Sequence, residues 1–177
     1  TVFETLFGIK ETMVQSQCVL MPLLFPGVLE QCGIRRLQRG KLYQSGTAGN
    51  VTVINTRVGA GFVGDAVLYL RQTACRRVFL FGSCGAVERR DDCRVGSVVC
   101  PVACRQQESF SRQLVSGRIS AVQSQPDRAL LRAFMRYAGS AVVPVRCLTV
   151  ASLKLEEQSG GVYRREKIDV LDMECSA

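Results

Sequence analysis

Val51-Thr52-Val53-Ile54-Asn55-Thr56 runs into Gly59-Ala60-Gly61, and Val78-Phe79-Leu80-Phe81 runs into Gly82-Ser83-Cys84-Gly85. Short apolar runs that end in glycine predict buried strands of a sheet covered on both faces. Glycine has no Cβ, so a small molecule can approach the backbone at each strand exit. Two such exits predict a ligand crevice at the carboxyl ends of the strands.

Working outward, Gln17 to Met21 reads as a short buried strand ended by Pro22. Before it, Phe3, Leu6, Phe7, Lys10, Met13 and Val14 follow helical spacing, which predicts an amphipathic helix over 2–15. Gly27 to Gly33 reads as a short helix. Arg36 to Gln44 and Asn50 to Thr56 read as strands joined by a turn at Ser45-Gly46-Thr47-Ala48-Gly49. Phe62 to Thr73 is predicted helical, with Val63, Ala66, Val67 and Leu70 inward.

Downstream, Gly96 to Ala103 is an apolar strand. Pro126 opens a helix from Asp127 to Tyr137, and Gly139 closes it. Ala141 to Ala151 is strand-rich. Glu156 to Lys167 is polar and reads as a loop. Ile168 to Leu171 is a final strand, and Met173 onward reads as the start of a helix. This mixed order predicts an α/β sandwich, with Val51–Thr56, Val78–Phe81 and Ile168–Leu171 as interior strands.

A length of 177 residues fits one domain with a sizeable core. No apolar run reaches the roughly 18 residues of a membrane helix. The N-terminus lacks the basic-then-apolar pattern of a secretory signal. The expectation is a cytoplasmic protein with no membrane partner. The net charge of +8 is carried mostly by arginine, in scattered pairs at Arg35-Arg36, Arg76-Arg77, Arg89-Arg90 and Arg164-Arg165. Scattered pairs predict solvated surface arginine, with no specific nucleic-acid partner.

There are nine cysteines and no histidine. No Cys-x-x-Cys pair occurs, and Cys100-x-x-x-Cys104 falls in an apolar strand. This predicts buried, reduced thiols and no metal site. The lack of histidine excludes Ser-His and Cys-His nucleophile mechanisms. Gly59-Ala60-Gly61-Phe62-Val63-Gly64 matches Gly-x-Gly-x-x-Gly literally. A dinucleotide fold also needs an acidic residue about 20 residues on, where Gly82-Ser83 stands instead. The pattern is incomplete, and no cofactor is expected.

Two places carry chemistry. The turn at 82–85 offers the Ser83 hydroxyl and backbone N–H groups, which suit a phosphate, a ribose hydroxyl or a base edge. Its alternative is a plain strand exit. Glu174 follows a buried strand, where it either caps a helix or accepts hydroxyl hydrogen bonds. Strand alternation sets Asp172 on the opposite face.

Val78-Phe-Leu-Phe-Gly-Ser-Cys-Gly-Ala-Val87, Arg94-Val-Gly-Ser-Val-Val99 and Asp172-Met-Glu-Cys-Ser-Ala177 together resemble the nucleoside phosphorylase/nucleosidase family. Val19-Leu-Met-Pro22 and Gly59-Ala-Gly61 resemble its first strand and second-strand turn. The resemblance implies a three-layer α/β/α sandwich around a mixed sheet, over a single domain spanning 1–177. It implies cleavage of the N-glycosidic bond of a small-molecule, purine-type nucleoside, with phosphate or water as nucleophile. Ser83 is then at the nucleophile site, with Gly61 at the neighbouring turn. Cys84 and Gly85 line the base and ribose pocket, Met173 packs under the ribose, and Glu174 accepts its hydroxyls. A carboxylate so placed favours an oxocarbenium-like transition state.

The departures from the family pattern bear on the nucleophile. The phosphorylases carry a Gly-Asp-Pro-type loop with an arginine after the first strand; here Leu23-Leu-Phe-Pro-Gly27 stands there. They also place an arginine where this chain has Leu80. A phosphate dianion then lacks its cations, and Arg57 is the remaining candidate. Glu30 is the nearest carboxylate to the water-activating glutamate of the nucleosidases, and is far along. Leu153-Lys154-Leu155 replaces the usual purine-stacking aromatics. The purine-side acid of the family falls beyond Ala177, so the expectation is a chain lacking the family's C-terminal part. Water is favoured over phosphate, and the alternative is a non-catalytic nucleoside-binding or structural homologue. Family sites are commonly completed at subunit interfaces, which implies a homo-oligomer, with Phe3 and Phe7 as candidate contacts.

Overall fold

Two mixed five-stranded sheets organise the chain, one in the unit Thr1–Ser83 and one in the unit Cys84–Ala177. The computed structural model describes residues 1–107, 123–152, 154 and 160–177.

The first sheet is built around β1 (Gln17–Met21), as its alternating apolar residues require. β4 (Val51–Asn55) and β5 (Arg77–Leu80) flank β1 in parallel, and β3 (Gln44–Ala48) and β2 (Gln38–Arg39) extend the sheet antiparallel. Side-chain alternation sorts the residues of β1. Cys18 and Leu20 face α1 (Val2–Phe7) and α3 (Ala60–Leu70), with Ile54 of β4 beside them. Val19 and Met21 face Val28 and Leu29 of α2 (Pro26–Gln31), with Val53. Helices therefore cover both faces of this sheet.

Four expectations change here. The predicted 2–15 helix stops at Phe7, because Gly8 takes φ 78 and caps α1, and only a single 3-10 turn, Glu11–Met13, follows. An added Cβ at Gly8 would meet the backbone of Gln38 and Arg39 at 2.8 Å, so the chain reverses at a point where only glycine fits. Phe3 and Phe7 are not surface contacts: their rings stack 4.2 Å apart, and Phe7 stacks on Tyr43 at 4.4 Å, all in the core. Burying one such ring is worth about 1.5–3 kcal/mol, which far outweighs leaving it exposed.

The turn between β3 and β4 lies at Gly49-Asn50, since Ala48 pairs with Val51. Gly46 is inside the strand, packed against Ile34 and Leu37. Last, β5 is an edge strand of its sheet, not an interior one. With β1 on one side only, Val78, Phe79 and Leu80, and Phe81 after them, are each more than a third exposed.

The second unit has the order β6-β10-β9-β7-β8. β7 (Val98–Gln106), β9 (Val142–Thr149) and β10 (Val170–Asp172) are parallel neighbours, and β6 (Gly85–Ala86) and β8 (Gln123–Ser124) close the edges antiparallel. One face of β9 and β10 packs Leu148 and Leu171 against Tyr163 of α5 (Gly160–Arg165) and Ile168. The other gathers Cys104, Val145, Cys147 and Val170.

α4 (Arg128–Ala138) follows the sequence reading closely. The Asp127 carboxylate accepts from the N–H groups of Ala129 and Leu130, and Gly139 ends the helix at φ 55. The polar stretch expected as a loop contains α5, because Tyr163 gives a short helix a residue to bury. Leu153 and Leu155 lie outside the described residues. Among the described residues no helix is long and apolar enough to cross a membrane.

Candidate functional site

Side-chain hydrogen bonds hold the exit of β10 in the second unit. β10 ends at Asp172, and Met173 to Ser176 form bends and a turn, closed by Ala177 N–H donating to the Glu174 carbonyl at 2.9 Å. The residues expected to begin a helix form this turn, and strand alternation no longer governs residues past 172. Glu174 is only 5% exposed and Met173 is half-buried.

Asp172 and Thr149 fix the turn. The Thr149 hydroxyl donates to Asp172 Oδ1 at 2.7 Å, and Cys175 N–H donates to Asp172 Oδ2 at 2.6 Å. Ser176 N–H donates to Thr149 Oγ1 at 2.9 Å, and Val150 N–H to the Asp172 carbonyl at 2.8 Å. Burial pushes the Asp172 carboxyl above the ordinary carboxylate range, and the Thr149 hydrogen bond opposes that shift. Asp172 is thus the orienting residue of the turn, a role that sequence reading missed. Its signal was the Thr/Asp pair at the ends of two adjacent parallel strands, visible only once their register is known.

β6 brings Gly85 to the same edge. Gly85 pairs with Leu171 and Ala86 with Val170, antiparallel. The chain preceding Gly85 therefore runs toward the end of the sheet where β10 delivers Met173 and Glu174. Cys84 lies on that path and is exposed. So the second unit brings together four of the six residues singled out in the sequence: Cys84, Gly85, Met173 and Glu174.

The other two, Gly61 and Ser83, belong to the first unit. There the carboxyl ends of β1, β4 and β5 share one edge, since all three are parallel. Thr56 N–H donates to the Met21 carbonyl at 3.0 Å and Phe81 N–H to the Leu20 carbonyl at 2.9 Å, while the Asn55 amide donates to the Met21 carbonyl at 2.8 Å. Gly61 is exposed in the first turn of α3, and Ser83 is exposed past the end of β5. Arg57, with φ 67, is exposed just after β4. Leu23 and Leu24 are exposed after β1, and Glu30 is exposed on α2.

Next to the β10 turn lies a group that the cysteine spacing did not foretell. The sulfurs of Cys104, Cys147 and Cys175 all lie within 4.8 Å of one another. Cys104 and Cys147 are register partners on β7 and β9, and Cys175 arrives on the turn. Cys104 Sγ is 3.2 Å from Thr149 Oγ1. Hydrogen bonding to Cys104, then to Cys175, together with burial, holds the Cys147 thiol far above the ordinary thiol range, so it carries its proton.

The arginine pairs are surface features, as expected. Arg90 is bound at 2.7 Å by both Asp92 and Asp169, and Arg76 donates to the carbonyls of Thr73 and Cys75.

Comparison with known proteins places this geometry. A family model described as the phosphorylase superfamily matches residues 26–177. No curated protein sequence matches the chain significantly. The fold is similar to that of an AMP nucleosidase from Bacteroides thetaiotaomicron, with TM-score 0.80 and 19% identity over 98% of this chain and 74% of that one. It is similar to a uridine phosphorylase from Vibrio fischeri, with TM-score 0.75 and 20% identity over 95% and 72%. A purine nucleoside phosphorylase from Toxoplasma gondii gives TM-score 0.72 and 16% identity over 95% and 71%.

Proposed function

Because the chain belongs to the phosphorylase superfamily, whose members include nucleoside phosphorylases and nucleosidases, we propose that it cleaves the N-glycosidic bond of a purine-type nucleoside with water as nucleophile. The observation that carries this reading is Glu174, buried at 5% exposure in a turn clamped by Asp172 and Thr149. A carboxylate held there accepts the ribose hydroxyls, and its negative charge lies where an oxocarbenium ion develops. Met173 packs under the sugar. Gly85 leaves room for it, because no Cβ projects at that position. Cys84 lines the same end of the sheet. In the first unit, Ser83 and Gly61 are the residues that the family resemblance assigns to substrate binding.

Water is favoured over phosphate because of the charges. A buried dianion needs charge-assisted partners to offset its desolvation. Leu80 and Leu23-Leu24 supply none, and Arg57 alone stands at the exit of β4. The same missing cations favour the second reading, a nucleoside-binding homologue that does no chemistry.

The test follows base release from inosine, adenosine, methylthioadenosine and uridine, with and without phosphate. Equal release from a purine nucleoside under both conditions is expected. Strict phosphate dependence would overturn the choice of water. Binding without release under either condition would establish the non-catalytic homologue.

A further inference from the structure

Cys104, Cys147 and Cys175 are separated by 43 and 28 residues, so no short motif joins them. The fold does. Parallel pairing of β7 with β9 sets Cys104 opposite Cys147, and register partners on adjacent strands point to the same face. The turn after β10 adds Cys175, fixed by its own N–H on Asp172. All three sulfurs lie within 4.8 Å of one another. Three thiolates around one zinc-like ion, each about 2.3 Å from it, stand about 4 Å apart. The group is therefore within a small contraction of a ligand set.

We propose that Cys104, Cys147 and Cys175 form a three-thiolate site for a thiophilic d10 cation, of the class of Zn2+, Cd2+ or Cu+. The donor set selects soft and borderline ions and rejects Mg2+ and Ca2+, which demand oxygen. Binding releases the thiol protons, one from each cysteine that ligates. Cys104 and Cys147 are buried, while Cys175 is half-buried and offers the entry side. Occupancy ties the turn that carries Met173 and Glu174 to two strands of the sheet. The site stands on the sulfur geometry alone and does not depend on the nucleoside reading.

The competing account is three small apolar side chains packed in a core. Cadmium alone decides between them, titrated into the chain reduced by a phosphine. One equivalent is expected to raise an ultraviolet sulfur-to-cadmium charge-transfer band. Cys175→Ser, at the half-buried position, is expected to lose it, and Cys75→Ser and Cys84→Ser to keep it. Alkylation of the wild-type chain read by mass spectrometry keeps the test independent of variant folding: cadmium should shield Cys104, Cys147 and Cys175 together. No uptake, a band that survives Cys175→Ser, or shielding confined to other cysteines would overturn the site.

Discussion

Thr149 is the residue on which the candidate site turns. Its side chain is fully buried, donates to Asp172, accepts from Ser176 N–H and touches Cys104 Sγ. Thr149→Val keeps the shape and removes the hydroxyl, which leaves the buried Ser176 N–H and the half-buried Asp172 carboxylate without that partner. Each such orphan costs about 1–3 kcal/mol, so the melting temperature should fall by several degrees, with Thr149→Ser close to wild type. A Thr149→Val chain as stable as wild type would show that the network does not hold the turn. None of this was legible beforehand. Glu174, Met173, Gly85 and Cys84 could be picked out because local motif and strand exit mark them. Thr149, Asp172 and the thiol group depend on the register between strands far apart in sequence, which no local pattern encodes.

At the level of elements, the legible parts are those fixed by near neighbours. β1 coincides with its predicted bounds, because five consecutive residues alternate between two covered faces. α4 was readable from Pro126, Asp127 and Gly139, all within its own ends. Asp127→Ala removes an acceptor for two N–H groups and should destabilise the second unit by about 1 kcal/mol, measured by denaturant titration. A change below a few tenths would mean that α4 adds little to that unit. The misread elements have tertiary causes. Helical spacing continued past Gly8, but the backbone of Gln38 and Arg39 approaches too closely there for the helix to go on. Gly46 resembles a turn residue and is instead a flat spot under Ile34. Val78 to Phe81 has the composition of an interior strand, and only the strand order shows that β5 lies at the edge of its sheet.

For the whole molecule, family membership goes with the fold, and the residues of this chain bear on the proposed chemistry. The proposed reading carries with it a homo-oligomer. Phe3 and Phe7 cannot serve, being core residues, but Leu23, Leu24, Val58 and Phe62 are exposed near the carboxyl edge of the first sheet. Sedimentation velocity at micromolar concentration should show a dimer or larger, and a monomer would contradict it. The most direct test is base release from purine nucleosides by the wild-type chain and by Glu174→Gln, compared at equal folded concentration. Glu174→Gln keeps the size of the side chain and removes the charge, so turnover should fall by about 100-fold or more while thermal stability changes little. Turnover by Glu174→Gln within a few-fold of wild type would contradict the role of Glu174 at the ribose.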